Sequence, residues 1–328
     1  MANQKTDETV TLGITAYNCE DTIEKAVLSA ISQDYINCEI LIVDDCSSDH
    51  TYEIITALSS KYPKITTMRH KRNCGVATTR NSIIQNSKTD FIAFFDDDDE
   101  SESHRIKLQL NAIKQAEKDY KSQIVICHSA RYVEYASNDI LYQPALGHAA
   151  RKTGISGPEI SEAILTGTKN VNLKGACPTC VQMARVSTYK LLNGFDENLT
   201  RSEDTDFSIR AAERGAIFIG LDAPLVLQRM TNGDEKRVEL EATNWRYLIN
   251  KHRDIIERKM PFRVAKDWLD IRFSWISNKY KDAIITLLKL FLKHPLHTSR
   301  RIWLSLPNLK LNLKMSKFYI DKFSKREK

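Results

Sequence analysis

The sequence predicts an α/β fold with a mostly parallel central sheet, followed by a C-terminal helical extension. Four apolar, β-branched runs at residues 10–16, 39–43, 65–69 and 91–95 recur about every 25–30 residues. Segments with helical spacing lie between them, among them Ile23/Val27/Ile31 and Tyr52/Ile55/Leu58. Strands alternating with helices in this way form βαβ units, whose strands are parallel. Composition then changes near residue 240, where the helical extension begins.

Further strands are expected at residues 124–130, 179–185, 217–220 and 225–230, and helices at 158–165 and 203–214, the second closed by Gly215. Residues 131–157 hold Gly147, Gly154 and Gly157 without a clear period, as a substrate loop would. No internal repeat is present.

The chain has 328 residues and a net charge of +6, but the charge is uneven. Residues 245–328 carry 21 Lys/Arg against 7 Asp/Glu, a net of +14, which leaves about −8 for the remainder. All four tryptophans, Trp245, Trp268, Trp275 and Trp303, lie in this basic tail. Residues 1–240 are therefore expected to form one domain and 241–328 a basic, aromatic, helical region. The longest apolar-dominated stretch is about ten residues, against the roughly 20 a spanning helix needs, so no span is expected. The polar N-terminus has neither the basic flank nor the apolar core of a secretory signal, and the expected location is the cytoplasm. Seven cysteines, an odd number without a metal-ligand array, predict reduced thiols. Cys177-Pro-Thr-Cys180 alone has CxxC spacing; lacking a second pair or a following helix, it reads as two loop-adjacent thiols.

Each of the first four strands is followed by polar residues: Tyr17-Asn18, then Asp44-Asp45-Cys46-Ser47-Ser48-Asp49, then Lys71-Arg72-Asn73, then Asp96-Asp97-Asp98-Asp99. In an open α/β sheet the ligand crevice lies beyond the carboxyl ends of the strands, so the clusters share one edge. Crowded carboxylates call for a cation, and oxygen ligands suit Mn²⁺ or Mg²⁺ bound together with substrate phosphates. Taken alone, the aspartate run also reads as a solvated loop or a Ca²⁺ site. Asp45 can accept hydrogen bonds from a base or a ribose, and Asp49 can cap the helix that follows. Thr15-Ala16-Tyr17-Asn18-Cys19-Glu20 replaces the G-x-G-x-x-G of a dinucleotide site, which removes that reading. Asp204 stands in the first turn of its helix, where the helix field favours an ionised acid, and on the sequence alone that position reads as a plain first-turn acid rather than a catalyst. Asp206 is expected on the helix surface.

Thr15-Ala16-Tyr17-Asn18, Val43-Asp44-Asp45, Asn73-Cys74-Gly75 with Arg80-Asn81, Phe95-Asp96-Asp97-Asp98-Asp99, and Gly194-Phe195-Asp196 with Glu203-Asp204 come in that order. Together they resemble the ordered signatures of family 2 glycosyltransferases over about residues 8–230. The resemblance implies a GT-A type nucleotide-binding domain that transfers a sugar with inversion from a nucleotide diphosphate, most often UDP. It places Thr15 and Tyr17 beside the base, Glu20 as a nearby polar contact, Asp45 on the uracil and Arg80 near the nucleotide. Asp96 and Asp98 match the two acids of the D-x-D motif, with Asp98 the better metal ligand. Four consecutive aspartates leave open which neighbour contributes: Asp97, counted among the nucleotide contacts, could point away, and Asp99 could assist at the metal. Asp204 matches the general base of the Glu-Asp motif.

The implied partners are a UDP-sugar donor and a glycan or lipid-linked acceptor, in bacterial surface-glycan assembly. A sugar-nucleotide nucleotidyltransferase would carry a Gly-rich loop after the first strand, yet no Gly occurs between Ile14 and Leu58. A GT-A-like binding protein without activity is a further alternative, against which Asp98 and Asp204 stand. The basic tail comes with no nucleic-acid recognition module, so nucleic acid is not an expected partner. Its segment 281–293, KDAIITLLKLFLK, reads as a short helix with a broad apolar face. That face suits either the inner surface of the cytoplasmic membrane or a packing partner such as a second subunit.

Overall fold

The computed structural model describes residues 8–135, 140–147, 154–167, 175–230 and 238–306. The chain divides into two compact units, residues 1–160 with 171–231, and 161–170 with 232–328. The expected loop at 131–157 and the end of the basic tail fall partly outside the described residues, and within the described part residues 131–134 and 140–143 are paired strand rather than loop.

The first unit opens with β1 (Val10–Ala16), α1 (Ile23–Ile31), β2 (Cys38–Asp44), α2 (Thr51–Lys61), β3 (Ile65–Arg69), α3 (Val76–Asn86) and β4 (Phe91–Phe95). Every residue of β1 and β4 is buried, as expected for strands covered on both faces. Beyond them come β5 (Glu100–Ser101), α4 (Arg105–Tyr120), β6 (Val125–Glu134), β7 (Ile140–Gln143), a 3₁₀ turn (Thr179–Val181), β8 (Gln182–Arg185), α6 (Val186–Leu191), α7 (Glu203–Glu213) and β9 (Ile217–Arg229). Between β7 and the turn lies α5 (Pro158–Thr166), whose residues from Ser161 group with the second unit.

The sheet order is β3-β2-β1-β4-β8-β6-β9-β5, with β7 paired to β6. β3, β2, β1 and β4 are parallel neighbours, so their carboxyl ends share one edge. Beyond β4 the sheet is mixed: β8 is antiparallel to both β4 and β6, and β6 is parallel to β9. The core runs through Leu12, Ile14, Ile40, Ile42, Phe91 and Phe95, and on to Ile106, Leu110 and Ile113 of α4. Arg105 is wholly buried at the start of α4, donating to Phe94 O (2.9 Å), Gln109 Oε1 (3.0 Å) and Ser101 Oγ (2.9 Å). Burial lowers its pKa to about 10.

Two expected elements differ in form. The strand foreseen at 179–185 begins as the 3₁₀ turn after Pro178, and only its last four residues pair. The strands foreseen at 217–220 and 225–230 are one, β9, which runs through Pro224 where its register against β6 shifts. A bulge at Pro224 lets the two expected strands run as one.

The second unit is helical: α8 (Val238–Lys251), α9 (Arg253–Glu257), α10 (Phe262–Ile276), α11 (Tyr280–Lys293) and α12 (Pro295–Ser305). Among the described residues no helix is long and apolar enough to cross a membrane. Arg301 is held inside this unit, donating to Thr166 O with its guanidinium 5.1 Å from the Trp268 ring centroid. In α11 only Ala283 and Leu290 are buried, whereas Leu288 and Leu292 are 60% and 83% exposed.

Candidate active site

The parallel edge gathers the predicted residues. Thr15 is buried in β1 opposite Val43, and Tyr17 is exposed just beyond the strand. Glu20 ties this loop to the start of α2, its Oε2 accepting from His50 N–H at 2.9 Å. Asp49 joins it there, accepting from Thr51 N–H (3.0 Å) and Glu20 N–H (3.2 Å).

Asp45, one residue past β2, is 3% exposed and points at the amino end of α3. Its carboxylate accepts from Gly75 N–H (2.8 Å), Cys74 N–H (2.9 Å) and His70 Nδ1 (2.7 Å). Gly75 has φ +88°, a conformation that aims its N–H and that of Cys74 at one anion and that glycine adopts without strain. His70 was not singled out in the sequence; the signal was its place at the end of β3, level with the other clusters.

Asp97 points inward. Its Oδ2 accepts from Tyr17 N–H at 3.0 Å, so the second aspartate of the run holds the β1–α1 loop. Burial, and then the neighbouring charge of Asp98, raise its pKa to about 7. Asp99 is 4% exposed; Oδ1 accepts from Arg229 N–H at 3.0 Å, while Oδ2 has no hydrogen-bond partner. Burial and the charges of Asp96 and Asp98 push its carboxyl well above the usual range. Ligand atoms of Asp96, Asp99 and Cys180 lie within 4.8 Å of one another. Two acids and a buried, unpartnered oxygen fit a divalent cation; Asp98 is outside this group.

Arg80 connects the two ends of the motif series. Buried on α3, it donates from Nη2 to Asp96 Oδ1 at 3.1 Å and from Nη1 to Glu203 Oε1. Burial alone would lower its pKa, but the charges of Glu203, Asp96 and Asp204 outweigh it and hold the guanidinium above its ordinary value. The adjacent Asn81 donates to Phe195 O (2.9 Å) and accepts from Phe195 N–H (2.8 Å), locking the Gly194-Phe195 turn that leads to α7. The pairing of Arg80 with Glu203 was missed because the two are 123 residues apart.

Asp204 follows at the start of α7, half-buried, with Oδ1 accepting from Thr205 N–H (2.6 Å) and Thr205 Oγ1 (3.1 Å). Burial, then the charge of Glu203, raise its pKa to about 6, against the pull of Arg80. The helix field is thus outweighed, yet the carboxyl is still mostly ionised at neutral pH. Asp206 is not on the helix surface. It is fully buried and pairs with Arg210 Nε at 2.7 Å, because Arg210 also donates to Leu192 O and Gly194 O and draws the acid inward.

A parallel half-sheet that brings a half-buried acidic run, a buried arginine and a half-buried carboxylate together is the build of a GT-A glycosyltransferase. S. aureus TarS (residues 1-349 in complex with UDP-GlcNAc) has that fold, with a TM-score of 0.57 at 16% identity over 90% of this chain and 89% of that one. The family model described as glycosyl transferase family 2 matches residues 11–192, more than half of the chain, and the chain belongs to that family. It is 38% identical over 127 residues to the UDP-Glc:alpha-D-GlcNAc-diphosphoundecaprenol beta-1,3-glucosyltransferase WfaP of Escherichia coli, covering 39% of this chain and 47% of that protein. It is 26% identical over 245 residues to the hyaluronan synthase of Pasteurella multocida, covering 74% of this chain and 23% of that protein. The matched region thus spans less than half the length of either relative.

Proposed function

We propose that the chain transfers a sugar, with inversion, from a UDP-sugar to a hydroxyl of a glycan or lipid-linked acceptor in bacterial surface polysaccharide synthesis. The observation that carries this reading is Asp204, a half-buried carboxylate with a pKa near 6, beside the Arg80-linked acidic edge. A base with that pKa is ionised at neutral pH and still takes a proton readily. A relative named for UDP-Glc transfer and a neighbour solved with UDP-GlcNAc support the donor class.

In this reading Thr15, Tyr17, Glu20 and Asp45 border the base, and Arg80 and Asp97 fix the loops around the nucleotide. Asp204 accepts the acceptor hydroxyl's proton as that oxygen bonds to the anomeric carbon, and the bond from that carbon to the diphosphate breaks, releasing UDP. A divalent ion, Mn²⁺ or Mg²⁺, held by Asp96, Asp98 and Asp99, would supply the charge that offsets the departing diphosphate. Residues 1–240 serve as the catalytic domain. The region 241–328 holds the chain at an anionic membrane surface, a reading favoured by the open apolar face of α11 flanked by lysines.

A nucleotide-sugar panel tests the donor class, scored by thermal shift with Mn²⁺ and by UDP release. Stabilisation and UDP release by at least one UDP-sugar are expected. Neither effect with any of them overturns the proposal.

A further inference from the structure

We propose that the exposed face shared by β5, β9, β6 and β7 binds the acceptor glycan, with Tyr132 and Tyr142 as the platform on which its sugar rings stack. The proposal deepens the glycosyltransferase reading and rests on it. β8 is antiparallel to both β4 and β6, so β6 ends on the same edge of the sheet as the donor-site strands. Its last residues pair with β7 on one side and β9 on the other. Tyr132 lies opposite Tyr142 and Leu227, and Leu227 lies opposite Glu100. Residues paired in this way share a face. Tyr132 and Tyr142 are 43% and 45% exposed, with ring centroids 6.3 Å apart at 73°, and Ile140 in the same hairpin is 54% exposed. Val133, between Tyr132 and Glu134 and on the opposite face, is buried. The Tyr142 ring is anchored by its hydroxyl, which donates to Asp222 O at 3.1 Å.

The same face runs up to the donor site. Arg229 pairs on it with Glu100 (2.7 Å) and Glu134 (3.3 Å), and its backbone N–H donates to Asp99 Oδ1. Glu100 directly follows the aspartate run. Two tyrosines flanked by one guanidinium and two carboxylates match the chemistry of a sugar. The C–H face of a pyranose lies against an aromatic ring, while its hydroxyls donate to carboxylates and accept from arginine. Exposed apolar surface rimmed by polar groups marks a binding site. Three strand spacings of about 4.8 Å separate Glu100 from Tyr142, about 14 Å in all, which suits a short oligosaccharide rather than a single sugar. A glycan lying along the face reaches Asp99, and with it the donor, at one end.

The test probes an array of immobilised bacterial surface oligosaccharides with the full chain, in the presence of UDP and Mn²⁺. At least one array glycan should bind, and its tetrasaccharide about tenfold or more tighter than the monosaccharide of the same sugar. Tyr132→Ala with Tyr142→Ala should weaken that binding by about tenfold or more, while Tyr132→Phe with Tyr142→Phe, which keeps both rings, should stay within about threefold. UDP affinity, read by calorimetry, should be unchanged in both variants and so reports that the donor site is intact. Ring-labelled tyrosine NMR of the unaltered protein gives a reading that does not depend on the Ala variant folding: the Tyr132 and Tyr142 signals, assigned from their single Phe variants, should shift when the bound glycan is added. No array glycan bound, binding unaffected by the Ala variant, or no shift at either tyrosine overturns the platform. Glycan binding that survives while sedimentation shows a changed oligomer mass in the Ala variant gives the face to a second copy of the chain instead. UDP release is measured on the same protein. Glycan binding through these tyrosines without UDP release from any UDP-sugar keeps the platform and removes the transfer reading, and UDP release without such binding does the reverse.

Discussion

Arg80 Nη2 lies 3.1 Å from Asp96 Oδ1, while Nη1 of the same guanidinium donates to Glu203. The acid run after β4 and the start of α7 are therefore joined through one buried cation before any ligand arrives. Arg80→Met removes that cation and leaves Asp96 and Glu203 facing each other without compensation. The loss of one member of a buried ion pair costs about 3–5 kcal/mol. We expect a marked fall in the thermal midpoint and weaker UDP binding, read by calorimetric titration. Arg80→Lys should restore part of the stability, because it keeps the charge but cannot bond both acids in the same planar fork.

Asp204 sets the pH dependence. With a pKa of about 6, kcat/KM should fall tenfold per unit below that value and level off above it, because the base must be ionised to accept a proton. Asp204→Asn should lower turnover by roughly 10²–10⁴-fold with donor binding nearly intact. Stability runs the other way. A carboxyl whose pKa is higher folded than unfolded favours the folded state fully only below its unfolded value, and that contribution is lost as pH rises through about 6. Asp204→Asn should therefore raise the thermal midpoint at neutral pH. An inactive variant that is also destabilised at neutral pH would place the residue in the scaffold.

UDP binding should need a divalent ion, because the diphosphate otherwise meets Asp96, Asp98 and Asp99 directly. Calorimetry with Mn²⁺ and then with EDTA decides it, and equal affinity in both sinks the metal assignment. Asp98→Asn should weaken only the metal-dependent part of the binding.

Asn81 holds the Gly194-Phe195 turn through paired bonds to the Phe195 backbone and a third, 2.9 Å, to Glu197 Oε1. Asn81→Ala leaves buried backbone groups unpaired, and each such group costs about 1–3 kcal/mol. Urea denaturation should show a loss of that order. Because the turn leads into α7, kcat should fall as well.

What the sequence made legible follows from which forces act locally. β1 and β4 keep their predicted ends because continuous apolar runs bounded by polar residues are buried as units, and the edge strand β3, with only Ile65 buried, keeps its ends as well. The gathering of Asp45, Asp96 and Tyr17 at one edge follows from parallel strand order alone. Hidden were the contacts made across long sequence separations. Nothing near Arg80 announces Glu203, and Cys180 is a plain thiol until the turn before β8 sets it beside Asp99. Asp206 misled for a related reason: a first-turn acid is ordinarily solvated, and only Arg210 one turn later, reaching the carbonyls of Leu192 and Gly194, turns it inward. The gap expected between residues 220 and 225 is absent because β9 carries Pro224 through a register shift against β6.

The last prediction concerns the tail. Along α11 and α12, Leu288, Leu292, Leu296 and Trp303 are 60%, 83%, 84% and 66% exposed, an apolar surface larger than isolated exposed side chains produce. Lys289 and Lys293 lie in the same helix, and Arg300 and Arg301 follow in α12, where Arg301 is turned inward onto Trp268. Apolar side chains with lysines at their margin suit the headgroup region of a bilayer, where each basic residue near an anionic surface adds about 1 kcal/mol. Full-length protein should therefore float with anionic vesicles, stay behind with neutral ones, and dissociate in high salt. Leu288→Glu with Leu292→Glu should abolish flotation without altering UDP release from a soluble acceptor assay, since both side chains already face solvent. If flotation persists in that variant, the face is not the anchor. If the double variant instead changes oligomer mass in sedimentation, the same surface joins two copies of the chain.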